Sequence, residues 1–241
     1  MLSVAALSVG FTPMPAVLSP RCVAAPVTMV AKELTDLASA CNPVVGYFDP
    51  LGLGSSDFWS KGNPATVGWL RHSEVKHGRV AMAAFVGYIA QYNGLHFGFP
   101  LQAGGENLQY AAGLTPPEQW DALTPLAKFQ IIGFIGFLEF WGEFGAEPHY
   151  TKGGKPGDFP NFPAANVIPA TPIKVLNLFD PLGFSKSRTE EAKAKGLVAE
   201  VNNGRLAMIG IIGFLAEQKV PGAVPFGPHL KAYAGEVMNP F

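Results

Sequence analysis

SEVKHGRVAM at residues 73–82 and AEVNNGRLAM at residues 199–208 are nearly one phrase written twice, and each opens a long apolar stretch. Glu74 and His77 stand three positions apart, as do Glu200 and Asn203, so on a helix each pair shares one face, a turn apart. Arg79 and Arg205 follow their own Glu by five positions, which carries each about 140° around the helix from it. Pairing within one helix is therefore awkward. Pairing across two helices is not: if they meet near Gly78 and Gly204, Glu74 reaches Arg205 while Arg79 reaches Glu200. Pseudo-two-fold symmetry requires both pairs or neither. The glycines, with Ala81 and Ala207, are the small residues that let membrane helices approach closely.

The repetition extends upstream. FDPLGL at 48–53 recurs as FDPLGF at 179–184, each ahead of its Glu/Arg phrase, so the chain carries an internal duplication with a short deletion between loop and helix. Three helices are expected: about Thr66 to about Asn93, residues 127–144 with Thr124 as cap and Pro125 at the first position, and about Thr189 to about Lys219, stopped by Pro221. Residues 41–65, 94–125 and 145–175 are rich in Gly, Pro and amide residues and read as loops. Helices one and three are then equivalents, and the middle helix is unpaired. The expected fold is an all-α membrane protein with three transmembrane helices, the first and third crossed with pseudo-two-fold symmetry, joined by long Pro/Gly-rich loops.

Composition agrees with a membrane setting. Of 241 residues, 48% are hydrophobic and 15% charged, against about 25% charged in ordinary soluble chains, and the mean hydropathy is +0.20. A formal net charge of −1 with no Lys/Arg block excludes a nucleic-acid partner. Cys22 and Cys41 form neither a disulfide framework nor a zinc motif. No HExxH, nucleophile elbow or phosphate loop is present, and Asn203 at the repeat position of His77 is a poor base, so an enzyme is not expected. Residues 1–30 lack acids and are rich in Ala, Val, Ser and Pro, which reads as a targeting segment ahead of a single domain over 31–241.

Charges within a bilayer cost several kcal/mol, so two acids and two bases on apolar helices call for pairing. Pairing alone does not account for His77 and Asn203. Either they hydrogen-bond beside a structural salt bridge, or Glu74, His77, Glu200 and Asn203 are axial ligands to the magnesium of chlorophylls, a hard cation that accepts oxygen or nitrogen. A carboxylate neutralised by an Arg ligates one metal and leaves no net charge in lipid. That second reading accounts for all three residue types.

EVKHGRVAM with EVNNGRLAM, each behind an FDPLG loop, resembles the chlorophyll-binding light-harvesting superfamily over about residues 40–225, and NNGRLAMIGIIGF with the short loops is most similar to its red-lineage chlorophyll a/c antenna branch. The resemblance implies a multi-pass protein of the plastid thylakoid membrane, its N-terminus stromal and C-terminus lumenal, with residues 1–30 as a plastid-targeting segment. It implies chlorophyll a, chlorophyll c, fucoxanthin-like or peridinin-like and diadinoxanthin-like xanthophylls, and lipids. Asp49, Pro50, Leu51 and Gly52, with Asp180, Pro181, Leu182 and Gly183, become carotenoid-contact positions, although FDPLG also suits a plain turn. Gln130 and Glu139 match the family's middle-helix chlorophyll ligands, with Glu143 competing, and Trp120 and Trp141 suit the membrane interface. Glu217, beside Gln218, and His229 fall at the two remaining ligand positions. His72, His96 and His149 read as loop or interface residues.

The implied function is a photosynthetic antenna that absorbs light and passes excitation to a photosystem I or photosystem II core and neighbouring antenna subunits. A photoprotective, energy-dissipating member of the same family is the alternative, for which the acids Glu106, Glu118, Asp121 and Glu236 are few and ordinary. A pigment-free scaffold built on the same duplication is a third reading.

Overall fold

The computed structural model describes residues 27–98, 113–160, 183, 187–225 and 229–236. Within them lie five α-helices and no strand: α1 (Val27–Cys41), α2 (Asn63–Tyr92), α3 (Pro116–Asp121), α4 (Pro125–Gly145) and α5 (Glu190–Lys219), with 3-10 turns at Leu53–Ser55 and Tyr150–Lys152. The three long helices begin within three residues of their expected starts. Thr124 and Thr189 cap α4 and α5, their hydroxyls accepting from Ala127 N at 3.4 Å and Ala192 N at 3.3 Å. Glu190 and Glu191 in the first turn of α5 and Lys219 in its last complement the helix dipole. Of the described helices, α5 alone is long and apolar enough to cross a membrane on length and composition.

Two helices are additions to the expected set. α3 lies in what reads as loop, since six residues opening on Pro116 and Pro117 carry no periodicity. Its signal is the Thr115-x-x-Glu118 capping box, in which Thr115 N donates to the Glu118 carboxylate at 2.7 Å. α1 begins at Val27 and so runs across the expected boundary at residue 30. Leu34, Leu37 and Cys41 mark its apolar stripe.

The core is the crossing of α2 with α5. Val75, Gly78 and Ala81 are buried on α2, and their repeat equivalents Val201, Gly204 and Ala207 are buried on α5. The two glycines touch: a Cβ added to Gly204 would lie 2.9 Å from Gly78 Cα, and one added to Gly78 would lie 3.0 Å from Gly204 Cα. Only hydrogen fits there, and the main chains meet at the distance small residues permit. Farther along, Phe85 and Tyr88 stack on Phe214, with ring centroids 5.1 and 5.0 Å apart.

The other elements attach to this pair by polar tethers. Asn202 Nδ2 of α5 donates to Cys41 O of α1 at 3.1 Å. His72, buried on α2, accepts from Gly157 N at 3.0 Å and stacks on Tyr150 at 4.0 Å, so it is a core residue and not the loop or interface residue expected. α4 keeps its apolar surface uncovered by protein, with Phe129, Phe134, Phe140 and Phe144 all exposed.

Residues 229–236 strap the far ends together. Tyr233 N donates to Gln218 O at 2.9 Å, Gln218 Nε2 donates to Lys231 O at 3.2 Å, and Lys231 N donates to Tyr92 Oη at 3.2 Å. Lys231 Nζ reaches Glu118 at 3.0 Å, and Tyr233 Oη donates to Asp121 at 2.6 Å. Hydrogen bonding to that carboxylate pushes the Tyr233 phenol up to about 12, whereas the Thr115 N–H, aided by Lys231, holds the Glu118 carboxyl below the usual range.

Gly204→Ala should destabilise the protein by about 1–3 kcal/mol through overpacking, read as a fall in thermal midpoint by circular dichroism. Gly87→Ala, where an added Cβ meets nothing within 4 Å, should change it little. Because the folded pKa of Glu118 is depressed, its contribution is complete above its unfolded value of about 4.3 and is lost as pH falls through the folded one. Limited proteolysis should accordingly find the C-terminal strap protected at pH 7 and released on acidification beyond the ordinary carboxylate range, and Glu118→Ala should loosen it throughout.

Candidate pigment site at the helix crossing

The phrase residues surround the Gly78–Gly204 contact. Arg205 Nε and Nη2 both lie 2.7 Å from Glu74 Oε1, and Arg79 Nε lies 2.6 Å from Glu200 Oε1. Each carboxylate is thus met by a cation from the other helix. Two partners had no counterpart in the sequence reading: Arg71, one turn before Glu74, pairs with Glu74 Oε2, and Arg79 Nη1 donates to Gly157 O. The Arg71 pairing is legible afterwards as an i, i+3 ion pair. Glu74 therefore has both oxygens engaged, whereas Glu200 Oε2 makes no described contact.

His77 and Asn203 present their donors outward. His77 is exposed, and its Nδ1 lies 2.8 Å from Ser73 O. A carbonyl oxygen only accepts, so Nδ1 carries the proton and the Nε2 lone pair points away from the helix. Fixing one imidazole nitrogen on a backbone carbonyl is how a metal-ligating His is oriented. Asn203 is likewise exposed. Among the described residues no three His, Cys, Asp or Glu side chains gather around a bare ion. Single outward donors, separated along helices, suit a metal whose other positions are filled by a macrocycle.

A cavity of about 420 Å³ adjoins the Glu74 side of the crossing, lined by Leu34, Leu37 and Ala38 of α1, Tyr47 and Asp49 of the first FDPLG loop, and Leu70, Arg71, Glu74 and Arg205. Asp49 serves the loop itself: Oδ1 accepts from Leu53 N at 3.0 Å, and Oδ2 accepts from Gly54 N at 2.7 Å and Tyr47 Oη at 3.0 Å. The Gly54 N–H leads the effects that hold its carboxyl below the usual range. Gly52 takes a left-handed φ of 65° to make the turn, and Leu51 is exposed. In the second copy Gly183 also has positive φ, 75°, while Asp180, Pro181 and Leu182 lie outside the described residues.

On α4, Gln130 and Glu139 are exposed, and Glu139 Oε2 meets Lys76 Nζ at 2.5 Å. Glu143, its competitor, is occupied: Oε2 accepts from Tyr150 Oη at 2.8 Å and lies 3.2 Å from His149 Nε2. His149 caps the Tyr150–Lys152 turn. Two of the expected ligands sit differently from the rest. Glu217 is 3% exposed, and its two oxygens accept from Gly222 N and Val224 N, each at 3.0 Å. It closes the turn after α5 by accepting from amides that lie beyond the helix, and burial is what sets it apart from the exposed candidates. His229 is almost fully exposed, 3.8 Å from that same carboxylate.

Comparison with known proteins identifies the family. Residues 33–219 match the family described as chlorophyll A-B binding protein. A chloroplastic fucoxanthin-chlorophyll a-c binding protein of Trieres chinensis is 31% identical over 186 residues, covering 76% of this chain and 78% of the relative. Fucoxanthin-chlorophyll a-c binding protein F of Phaeodactylum tricornutum is 31% identical over 182 residues, covering 74% and 76%. Protein B of Macrocystis pyrifera is 29% identical over 224 residues, covering 85% and 90%. With its doubled Glu/Arg phrase set around a glycine crossing, the chain belongs to the chlorophyll-binding light-harvesting family, whose members are antenna proteins and not enzymes.

Proposed function

We propose that this protein is a photosynthetic antenna of the plastid thylakoid membrane, holding chlorophyll a, chlorophyll c and fucoxanthin-type xanthophylls and passing excitation to a photosystem core through neighbouring antenna subunits. The observation that carries the reading is the pairing at the crossing: two carboxylates, each neutralised from the opposite helix, stand one turn from an outward His or Asn donor. A neutral pair belongs in lipid, and an outward donor belongs to a ligand. The relatives' names support the pigment classes and the plastid.

In this reading α2, α4 and α5 span the membrane, with α2 and α5 related by a pseudo-two-fold axis through Gly78 and Gly204. α2 and α4 fall short of a span on composition because Arg71, Glu74, Lys76, Arg79, Lys128, Glu139 and Glu143 lower their apolarity, yet all but Lys128 have a partner of opposite sign, and Lys128 Nζ lies over the Trp120 ring. Glu74, Glu200, His77, Asn203, Gln130, Glu139 and His229 hold chlorophylls, and the two FDPLG loops receive xanthophyll ends. Chlorophyll, when bound, supplies the absorption and the excited state. The chain supplies position: neutral carboxylate ligands, a His fixed in tautomer and angle, and apolar walls such as the uncovered face of α4 that exclude water. Thylakoid lipid covers the remainder.

Extraction of the protein purified from its membranes in mild detergent should yield chlorophylls a and c and a xanthophyll whose absorption appears in the excitation spectrum of chlorophyll fluorescence. A colourless, folded protein would overturn the reading. His77→Leu should lose about one chlorophyll per chain with its ion pairs intact. Glu74→Ala should lose a chlorophyll and also strand Arg71 and Arg205, lowering stability by about 1–3 kcal/mol more than His77→Leu, as compared by thermal unfolding.

A further inference from the structure

Lys76 stands inside the first phrase, between Glu74 and His77, and its repeat equivalent is the neutral Asn202. It is therefore not part of the duplicated framework. Its ammonium crosses to α4, reaching Glu139 at 2.5 Å and Glu143 at 3.4 Å. Glu143 is already held by Tyr150 and His149. Glu139 has no other described partner, and its side chain is 56% exposed.

The pattern at the helix crossing thus occurs a third time. Glu74 of α2 is neutralised from α5, Glu200 of α5 from α2, and Glu139 of α4 from α2. A lone anion on an apolar helix is expensive, and its cost is removed by a cation within reach. Of the two acids on α4, Glu139 takes the shorter contact with Lys76 and is the more exposed, its side chain at 56% against 38% for Glu143.

We propose that Lys76 is the positioning residue for a chlorophyll ligated by Glu139, supplying from α2 the charge that makes the carboxylate an acceptable ligand on α4. The proposal rests on the antenna reading and adds to it a residue from another helix that decides whether the α4 site fills. An amide ligand needs no counterion, so the two roles open to Lys76, neutralising a ligand and spacing two helices, give different results in a double variant.

The test is pigment content per chain, with the chlorophyll absorption and circular dichroism bands, on full-length variants purified from pigment-replete membranes. Lys76→Met should lose about one chlorophyll. Glu139→Gln should keep it, and Lys76→Met combined with Glu139→Gln should regain it together with its band. Glu139→Leu should lose it. If Lys76→Met alone fails to fold while the double variant is folded and fully pigmented, the uncompensated charge is again responsible. Full chlorophyll content in Lys76→Met or in Glu139→Leu would overturn the proposal, as would loss of the pigment from Glu139→Gln alone or from the double variant. A wild-type protein without chlorophyll would instead overturn the antenna reading itself.

Discussion

Everything in this chain is arranged around the reciprocal contact of Glu74 with Arg205 and Arg79 with Glu200 across the glycine crossing. Two constraints meet there. Main chains touching at Gly78 and Gly204 bring the helices close enough for side chains on either flank to reach across, and neutralising each acid from the other helix makes the charges tolerable in an apolar setting. Neither works alone: without the glycines the pairs are too far apart, and without the pairs the close helices carry uncompensated charge. Both conditions are written into one short phrase, and duplicating the phrase supplies both halves.

Among the described residues, the other elements are tied to the crossed pair by polar attachments and by the stacking of His72 on Tyr150. The positions of the repeat that differ most in chemistry carry the added helices: Lys76 on α2 reaches α4, and its equivalent Asn202 on α5 holds the end of α1. The duplicated frame stays constant where the helices meet, and one slot per copy is free to recruit a different neighbour. α4, tethered to α2 through its carboxylates, keeps Phe129, Phe134, Phe140 and Phe144 exposed.

Much of this was legible from residues alone, and the boundary of legibility has a physical cause. The duplication, the helix starts at Thr124 and Thr189, and the phase argument placing each Arg out of reach of its own Glu depend on local periodicity, which sequence displays directly. Lys76 against Glu139 and the burial of His72 under Tyr150 depend on which elements come together, and nothing in the spacing of α2 says where α4 or the Tyr150 turn will lie. Glu217 shows the opposite limit. The family resemblance put it at a ligand position, but the carboxylate turns inward to serve the amides of the turn that follows α5. α3 was hidden by its two prolines, although its capping box was in view.

The hydrogen bond from His77 to Ser73 O reaches beyond the choice of tautomer. A ring nitrogen tied to the backbone one turn back fixes the plane of the imidazole relative to the helix axis, so in the proposed antenna reading a chlorophyll held by the other nitrogen would take its orientation from the main chain. Electronic coupling between neighbouring chromophores depends on the angles between their transition dipoles as well as on distance. Through this one bond, the pitch of a helix would become an optical parameter, and a rigid rotation of α2 would register as a change in spectrum before any contact was lost.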